Sequence, residues 1–434
     1  MLTRLKNLLK KIPLVHAFGK WLKNFLMDLR VIPGFVQERR VKRQGYPIKV
    51  VFLCQYIPAW SKVEDLYRRM LEDDRFEPYL VCVPDGIMNN RLNDPESEEN
   101  EAYDYCLAHG YTQAINARVG KDAWLDLREL APAYVFYPRP YNARMPVCYT
   151  AREVYRYARV CLILYGAAWS DGITRVSLNR DFMSRTYFYF AELPFTRALN
   201  MRNNRLPHKL HLQKSECHGY PMFDHLRSFE GAESASWAFA DEDFRILWTP
   251  RWTTELSFGG SNFFTYYREL VDYAAENTDV ALLLRPHPLM FSHFIETGEM
   301  TPQEVKEYVG RCEALPNVSF DKLPTYEATF WNASVLVSDI SSIMIEFFVT
   351  GKPQIFCASN MTLELSDAMK RMLEGCYIAN NKQELFAHLQ ALKEGRDPLK
   401  ELRQEIIREQ FGDFSDDACT NILNALAQDF GERT

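Results

Sequence analysis

The sequence predicts an α/β protein made of two Rossmann-like units in tandem, preceded by a separate basic, amphipathic segment. Three observations predict this. Past Gly45, apolar strand-like runs alternate with helix-like runs, the pattern of a doubly wound sheet. The alternation occurs twice, on either side of a polar, small-residue stretch, and 434 residues favour two cores of comparable mass over one. Several strand-like runs end abruptly in polar turns, which is how parallel sheets present ligand-binding groups at their carboxyl ends.

In the first unit the candidate strands are Ile48–Leu53, Tyr79–Val83, Tyr134–Tyr137, Val160–Leu164 and Leu210–Gln213. Helical patterns fall at Val63–Leu71, Trp124–Leu130 and Arg152–Tyr157. The stretch Ser228–Asp243 has the composition of an interdomain linker. The second unit offers strands Phe244–Trp248, Val280–Leu284, Val318–Phe320, Val335–Val337 and Gln354–Phe356. Its helices are expected near Phe263–Ala275, Pro302–Glu313, Tyr326–Trp331 and Ser342–Val349. The expected divisions are 1–45, 46–227, 228–243, 244–404 and a helical tail 405–434, which by analogy crosses back to the first unit.

Charge sets the N-terminus apart. Eleven Lys and Arg precede Gly45 against Asp28 and Glu38, about +9, while the whole chain carries −6. Leu2, Leu5, Leu8, Leu9 and Ile12, then Leu14, Phe18, Trp21, Leu22, Phe25 and Leu29, recur near helical spacing among the lysines. Helices of this composition lie in the interface of anionic membranes, so residues 1–45 are expected to bind a membrane surface; packing on the body is the alternative. No run approaches the length of a membrane span, and an acidic remainder without a recognition motif argues against nucleic acid. The ten cysteines are scattered without a C-x-x-C pair, which reads as buried thiols in a reducing compartment and predicts no metal site.

The chemistry gathers at strand ends of the second unit. Thr249-Pro250-Arg251-Trp252-Thr253-Thr254 follows its first strand, then the glycine-bearing loop Phe258–Asn262. Arg285-Pro286-His287-Pro288 follows the next, and its prolines stiffen the turn that projects Arg285 and His287. Arginine forks onto phosphate oxygens, and histidine can donate to a phosphate or move a proton. The plain alternative is an Arg285–carboxylate pair and a His287 that caps a strand. In Ser338-Asp339-Ile340-Ser341-Ser342-Ile343-Met344-Ile345-Glu346 the serines fall at a helix start, where free N–H groups favour an anion. Simple capping by Asp339 or Ser341 is the alternative there. Glu346 can accept from ribose hydroxyls or face solvent. The set Arg251, Arg285, His287, Asp339, Ser341, Ser342 and Glu346 thus predicts a site for a phosphate-bearing donor. Asp241-Glu242-Asp243, formally D-x-D, reads as solvated surface.

These motifs, with Cys217-His218-Gly219-Tyr220-Pro221-Met222-Phe223-Asp224, resemble the CDP-glycerol glycerophosphotransferase family of teichoic-acid-type polymer enzymes. Lys49–Gln55 and Tyr137-Pro138-Arg139-Pro140-Tyr141-Asn142 are similar to the N-terminal half of some members. The resemblance implies a GT-B architecture of two facing domains and a peripheral enzyme at the cytoplasmic face of the membrane. It implies a CDP-linked donor, with Arg285, His287, Ser341 and Ser342 on or near its diphosphate, and a glycan or lipid-linked acceptor. No cofactor is expected, and a homo-oligomer stays open.

One position departs from the family. Members carry an H-G-T motif whose histidine is taken as general base, and the comparable stretch here reads Leu164-Tyr165-Gly166-Ala167-Ala168-Trp169-Ser170-Asp171-Gly172. Asp171 is the local candidate for that role, although Asp-Gly is also an ordinary turn. Two other functions share the fold: a glycosyltransferase using a nucleotide-activated sugar for a capsule or surface polysaccharide, and an inactive membrane-bound assembly protein that retains the nucleotide pocket.

Overall fold

The computed structural model describes the chain apart from residues 1–17, 19–40, 42–44, 86–99, 122, 138, 143–144, 167–169, 171–173, 175–176, 240–243, 324, 359–361, 413–416 and 432–434. The basic segment expected at 1–45 lies almost wholly outside the described residues. Among the described residues no helix is long and apolar enough to cross a membrane. The chain divides into two compact units, one made of residues up to 165 with 175–221 and 417–434, the other of 166–174 and 222–416.

The first unit is built on strands β1 (Ile48–Cys54), β2 (Phe76–Cys82), β3 (Ile115–Asn116), β6 (Tyr134–Tyr137), β7 (Arg159–Ile163), β8 (Thr186–Phe190) and β9 (Lys214–Glu216), with β4 (Arg118–Gly120) and β5 (Ala123–Trp124) as a small antiparallel ribbon. The sheet order is β3-β2-β1-β6-β7-β8-β9, every pairing parallel. A parallel sheet is covered on both faces, which is why β6, β7 and β8 are buried at every position and, apart from the opening Arg159 and Thr186, read as apolar or aromatic runs. On one face Val51, Leu53, Val135, Tyr137 and Leu162 form the core with Tyr149, Val154 and Phe182 from the connections.

The last helix, Ala418–Gly431, also belongs to this unit. Its buried Asp429 accepts from Tyr134 Oη at 2.7 Å and Arg159 Nη1 at 3.2 Å through one oxygen. The other oxygen takes Tyr187 Oη at 2.7 Å and Lys214 Nζ at 2.8 Å. Four strands, β6 to β9, are therefore fastened to the helix by one carboxylate. Arg159 is fully buried and lies over the rings of Tyr187 and Tyr134, so its charge depends on Asp429.

Several expected elements differ. Leu210–Gln213 is not a strand: His211 sits in the left-handed region (φ 53°) and turns the chain, so β9 starts at Lys214. Trp124–Leu130 is not a helix. Asp126 caps a short 3-10 turn, Leu127–Leu130, which Ala131 ends with φ 47°. Strand β8 and the three-residue strand at Tyr377–Ala379 lie outside the predicted set. Within the stretch read as linker, Trp237 is buried and its indole donates to Thr329 O at 3.1 Å, so this part packs as second-unit structure. Residues 166–174, expected in the first unit, belong to the second.

The second sheet comprises β10 (Phe244–Thr249), β11 (Val280–Leu284), β12 (Val318–Phe320), β13 (Val335–Ser338), β14 (Gln354–Cys357) and β15 (Tyr377–Ala379), in the order β12-β11-β10-β13-β14-β15 and wholly parallel. Its core joins Ile246, Trp248, Leu282, Leu284, Val335 and Val337 to Phe263, Tyr266 and Leu270 of the Phe263–Glu276 helix. The chain starts at β10, runs outward to β12, then returns to place β13 on the other side of β10. That reversal makes the carboxyl ends of β10 and β13 the topological switch point of the sheet.

Replacing Asp429 by alanine strands Arg159 as an uncompensated buried charge. The expected loss is on the order of 3–5 kcal/mol of unfolding free energy, read by chemical denaturation. A loss within the range of an ordinary surface substitution contradicts this account of the closing helix.

Candidate functional site

Register puts the sequence motifs side by side. Trp248 pairs with Leu284 and with Val337, and Thr249 with Ser338, so the residues that follow β11, β10 and β13 leave the sheet at one level. Neighbouring strands are about 5 Å apart, which brings Arg285, Arg251 and Asp339 to adjacent positions at the switch point. Thr249 Oγ1 donates to Ser338 Oγ at 2.7 Å and ties the two central strands at their ends.

Asp339 holds the loops together. It is buried, and its Oδ2 accepts from the backbone N of Arg251 at 2.8 Å and Ser261 Oγ at 3.2 Å. Its Oδ1 accepts from Asn262 N at 3.0 Å and Asn262 Nδ2 at 2.8 Å. Burial raises its pKa, with these hydrogen bonds opposing the shift. Expected among the donor-binding groups, Asp339 instead spends its carboxylate beneath the loops and shapes the site from below. The same anchoring sets Gly259, whose φ of 102° and 2.9 Å approach of a would-be Cβ to Ile340 Cγ2 leave no room for a side chain. Arg251 lies against this glycine and donates from Nη1 to Ile340 O at 2.8 Å.

Ser341 is the N-cap of the Ser342–Phe348 helix, in extended backbone (φ −162°, ψ 168°), yet its side chain makes no capping bond. Its Oγ is buried without a hydrogen-bond partner. A buried hydroxyl costs free energy unless it is paired, so Ser341 Oγ is an unmet polar group at this strand end. Capping, the plain alternative for this residue, is not what the side chain does. Ser342 opens the helix beside it, where the first N–H groups have no acceptor within the helix.

Arg285 pairs with the buried carboxylate of Asp321, which stands level with it because Leu284 pairs with Phe320. Its Nη1 also donates to Thr325 O at 3.3 Å, and the guanidinium lies 5.1 Å from the centre of the Tyr326 ring. The carboxylate alternative for Arg285 is thus realised, and Nη1 carries these bonds, leaving Nε and Nη2 without an acceptor among the described residues. Tyr326 Oη donates in turn to Glu346, which is buried, so the solvent-facing reading of Glu346 is overturned.

His287 keeps an exposed edge while packing near Trp252, ring centres 6.2 Å apart. Loss of water around the ring, then the charge of Arg251, pushes its pKa down to about 4. Leu289 N donates to Nδ1 at 3.2 Å, which leaves the proton on Nε2. At neutral pH His287 is a hydrogen-bond donor. Asp171 lies outside the described residues. Its neighbour Ser170 is buried and bridges to Leu365, and Gly166 stands against Ser342, where a Cβ would lie 3.7 Å from Ser342 Cβ.

Three contributors were not singled out from sequence: Asp321, Tyr326 and Asn262. Asp321 carried a usable signal, since it directly follows the β12 run. Asn262 and Tyr326 act through contacts from distant segments and carried none.

Residues 205–426, just over half of the chain, match the sequence profile of CDP-glycerol:poly(glycerophosphate) glycerophosphotransferases. The chain belongs to this family. No curated protein matches the sequence. Among solved structures, the wall teichoic acid polymerase TagF is 14% identical with a TM-score of 0.56, over 95% of this chain and 98% of that one. The UDP-GlcNAc 2-epimerase of Neisseria meningitidis is 13% identical with a TM-score of 0.58, over 88% and 100%. The corresponding epimerase of Methanocaldococcus jannaschii is 13% identical with a TM-score of 0.56, over 87% and 99%. These likenesses place this glycerophosphotransferase family member in the GT-B fold class. The matched span contains all of β10 to β15 and with them Arg251, Arg285, His287, Asp339, Ser341, Ser342 and Glu346, while Gly166 and Ser170 precede it.

The His287 assignment fixes a pH dependence. Its depressed pKa means the unfolded chain binds the proton more readily, so its contribution to stability is present above the unfolded value of about 6.5 and is lost as pH falls toward 4. In an NMR titration the His287 Cε1–H resonance should stay at its neutral position down to pH about 5. A midpoint at or above 6.5 contradicts the assignment.

Proposed function

We propose that this protein transfers glycerol phosphate from CDP-glycerol to a hydroxyl of a poly(glycerophosphate) or glycan acceptor in cell-wall polymer synthesis. The observation that carries the donor site is the unpartnered, buried Ser341 hydroxyl at the switch point of a sheet that lies inside the family-matched span. In the transfer an acceptor oxygen attacks the β-phosphorus, the P–O bond to CMP breaks, and CMP leaves with the bond's electron pair. The acceptor proton passes to a base or to solvent.

Such a step demands positioning and preformed positive groups more than covalent chemistry. Ser341 Oγ and the N–H groups that open the Ser342 helix are suited to the diphosphate oxygens. Arg285 offers Nε and Nη2 on one side, held in direction by Asp321 and Tyr326. Arg251 and Asp339 shape the turn between them. His287, neutral with its proton on Nε2, donates to the departing phosphate and is a poor base. Arg285 and a helix start answer the developing charge, and the reading calls for no metal. Glu346, buried and engaged by Tyr326, supports the shape of the pocket. Residues 1–45 are assigned to the surface of an anionic membrane by their charge and spacing alone.

Ser341→Ala is expected to weaken CDP binding by about tenfold, the value of one hydrogen bond to a charged group, in calorimetric titration. Unchanged CDP affinity would confine the hydroxyl to shaping the turn and remove the reading's main support. Deleting the residues before Gly45 should lower partition onto phosphatidylglycerol vesicles and leave CDP affinity intact. Unaltered partition would assign that segment to packing.

A further inference from the structure

A cavity of about 260 Å³ lies between the helices Phe263–Glu276 and Pro302–Glu313 of the second unit, and none of its lining residues belongs to the donor site. Helical spacing composes its walls. Phe264 and Tyr267 share one face of the first helix, and Glu304, Glu307 and Tyr308 share one face of the second. Three rings form a continuous floor, in which Phe264 meets Tyr267 edge to face at 5.9 Å and Tyr267 meets Tyr308 at 5.4 Å. Buried Met300 completes it.

The rim carries three exposed carboxylates, Glu299, Glu304 and Glu307. Among the described residues none of them pairs with a cation, and every donor they accept from is neutral. The Thr254 and Thr297 hydroxyls donate to Glu299, Thr301 N and Oγ1 to Glu304 at 2.7 and 2.8 Å, and Gln303 Nε2 to Glu307 at 2.7 Å. Arg311 also lines the cavity but is committed to Asp272, so Arg268 alone stands against three carboxylates. The Arg268 guanidinium lies 5.1 Å from the centre of the Tyr267 ring, so the floor already takes a cation on one of its faces. Tyr308 is 6% exposed, and its Oη has no hydrogen-bond partner beyond a weak contact with the Cys312 thiol. Its lone pairs are open to a donor that enters the cavity.

Charge and shape select the guest. An excess of carboxylates repels phosphates and favours a cation. Among the described residues the three carboxylates form no group close enough to chelate a metal ion, which turns the preference from a point charge to charges spaced along a chain. The aromatic floor suits methylene groups, and the volume holds roughly nine water-sized groups at ~30 Å³ each. We propose that this cavity binds a linear aliphatic polyamine, its ammonium groups on the glutamates and on Tyr308 Oη and its methylene chain against the rings.

The test is calorimetric titration of the full chain in buffered saline with spermidine as the probe, and with magnesium chloride and a hexalysine peptide for comparison. Spermidine should bind one to one, and magnesium at the same concentration should leave its affinity unchanged within about twofold. The Glu299→Gln/Glu307→Gln double variant should weaken binding by about tenfold, and Tyr308→Phe, which keeps the ring, by a similar factor. If Tyr308→Phe fails to fold, the exposed glutamates carry the test. No spermidine binding, displacement by magnesium at equal concentration, or wild-type affinity in the double variant each overturns the proposal. Binding of the peptide in place of spermidine overturns it too, and assigns the cavity to a segment of a protein partner.

Discussion

A single buried carboxylate holds together the strand-end loops of the second unit. Asp339 stands at the end of β13 and accepts from donors that belong to two other segments, the Arg251 turn and the Ser261-Asn262 loop. Without it those N–H and O–H groups would be buried or half-buried without partners, at about 1–3 kcal/mol each. With it, Arg251 is pinned to Ile340 O and Ser341 is left in extended backbone with its hydroxyl unspent. The group that ties these loops together is not the group left with an unpaired hydroxyl.

That distinction explains what could be read in the sequence. Parallel strands buried on both faces announce themselves as apolar runs, so Val280–Leu284 was legible to the residue, and the tandem α/β class followed from the alternation of such runs with helical ones. Arg285, His287, Ser341 and Ser342 were legible as polar residues at strand ends. Their roles were not. Whether Arg285 pairs with a carboxylate depends on the register of β11 with β12, and Asp321 enters only through it. Glu346 was ambiguous because a helix position shows its periodicity and not its neighbours; burial under Tyr326 settled it. Leu210–Gln213 misled because His211 turns the chain in a conformation that no composition rule foretells.

The two sheets share a design at different charge. Each reverses its strand order once, and each carries an arginine at the reversal, Arg139 in the first and Arg251 in the second. In the second unit the arginine donates to Ile340 O, next to the unpaired Ser341 hydroxyl. In the first it is matched by Asp85 and faced by the Tyr56 ring. Asp429 and Asp339 play parallel parts, each a buried carboxylate that fixes elements distant in sequence.

The central claim is that the switch point of the second sheet holds a CDP-linked polyol donor for transfer. The most direct measurement is nucleotide release by the purified chain supplied in turn with CDP-glycerol, CDP-ribitol, UDP-sugars and CMP-sugars, each with a poly(glycerophosphate) acceptor. The account predicts CMP release from CDP-glycerol that depends on the acceptor. Release from a UDP-sugar alone, with none from a CDP-polyol, would contradict it.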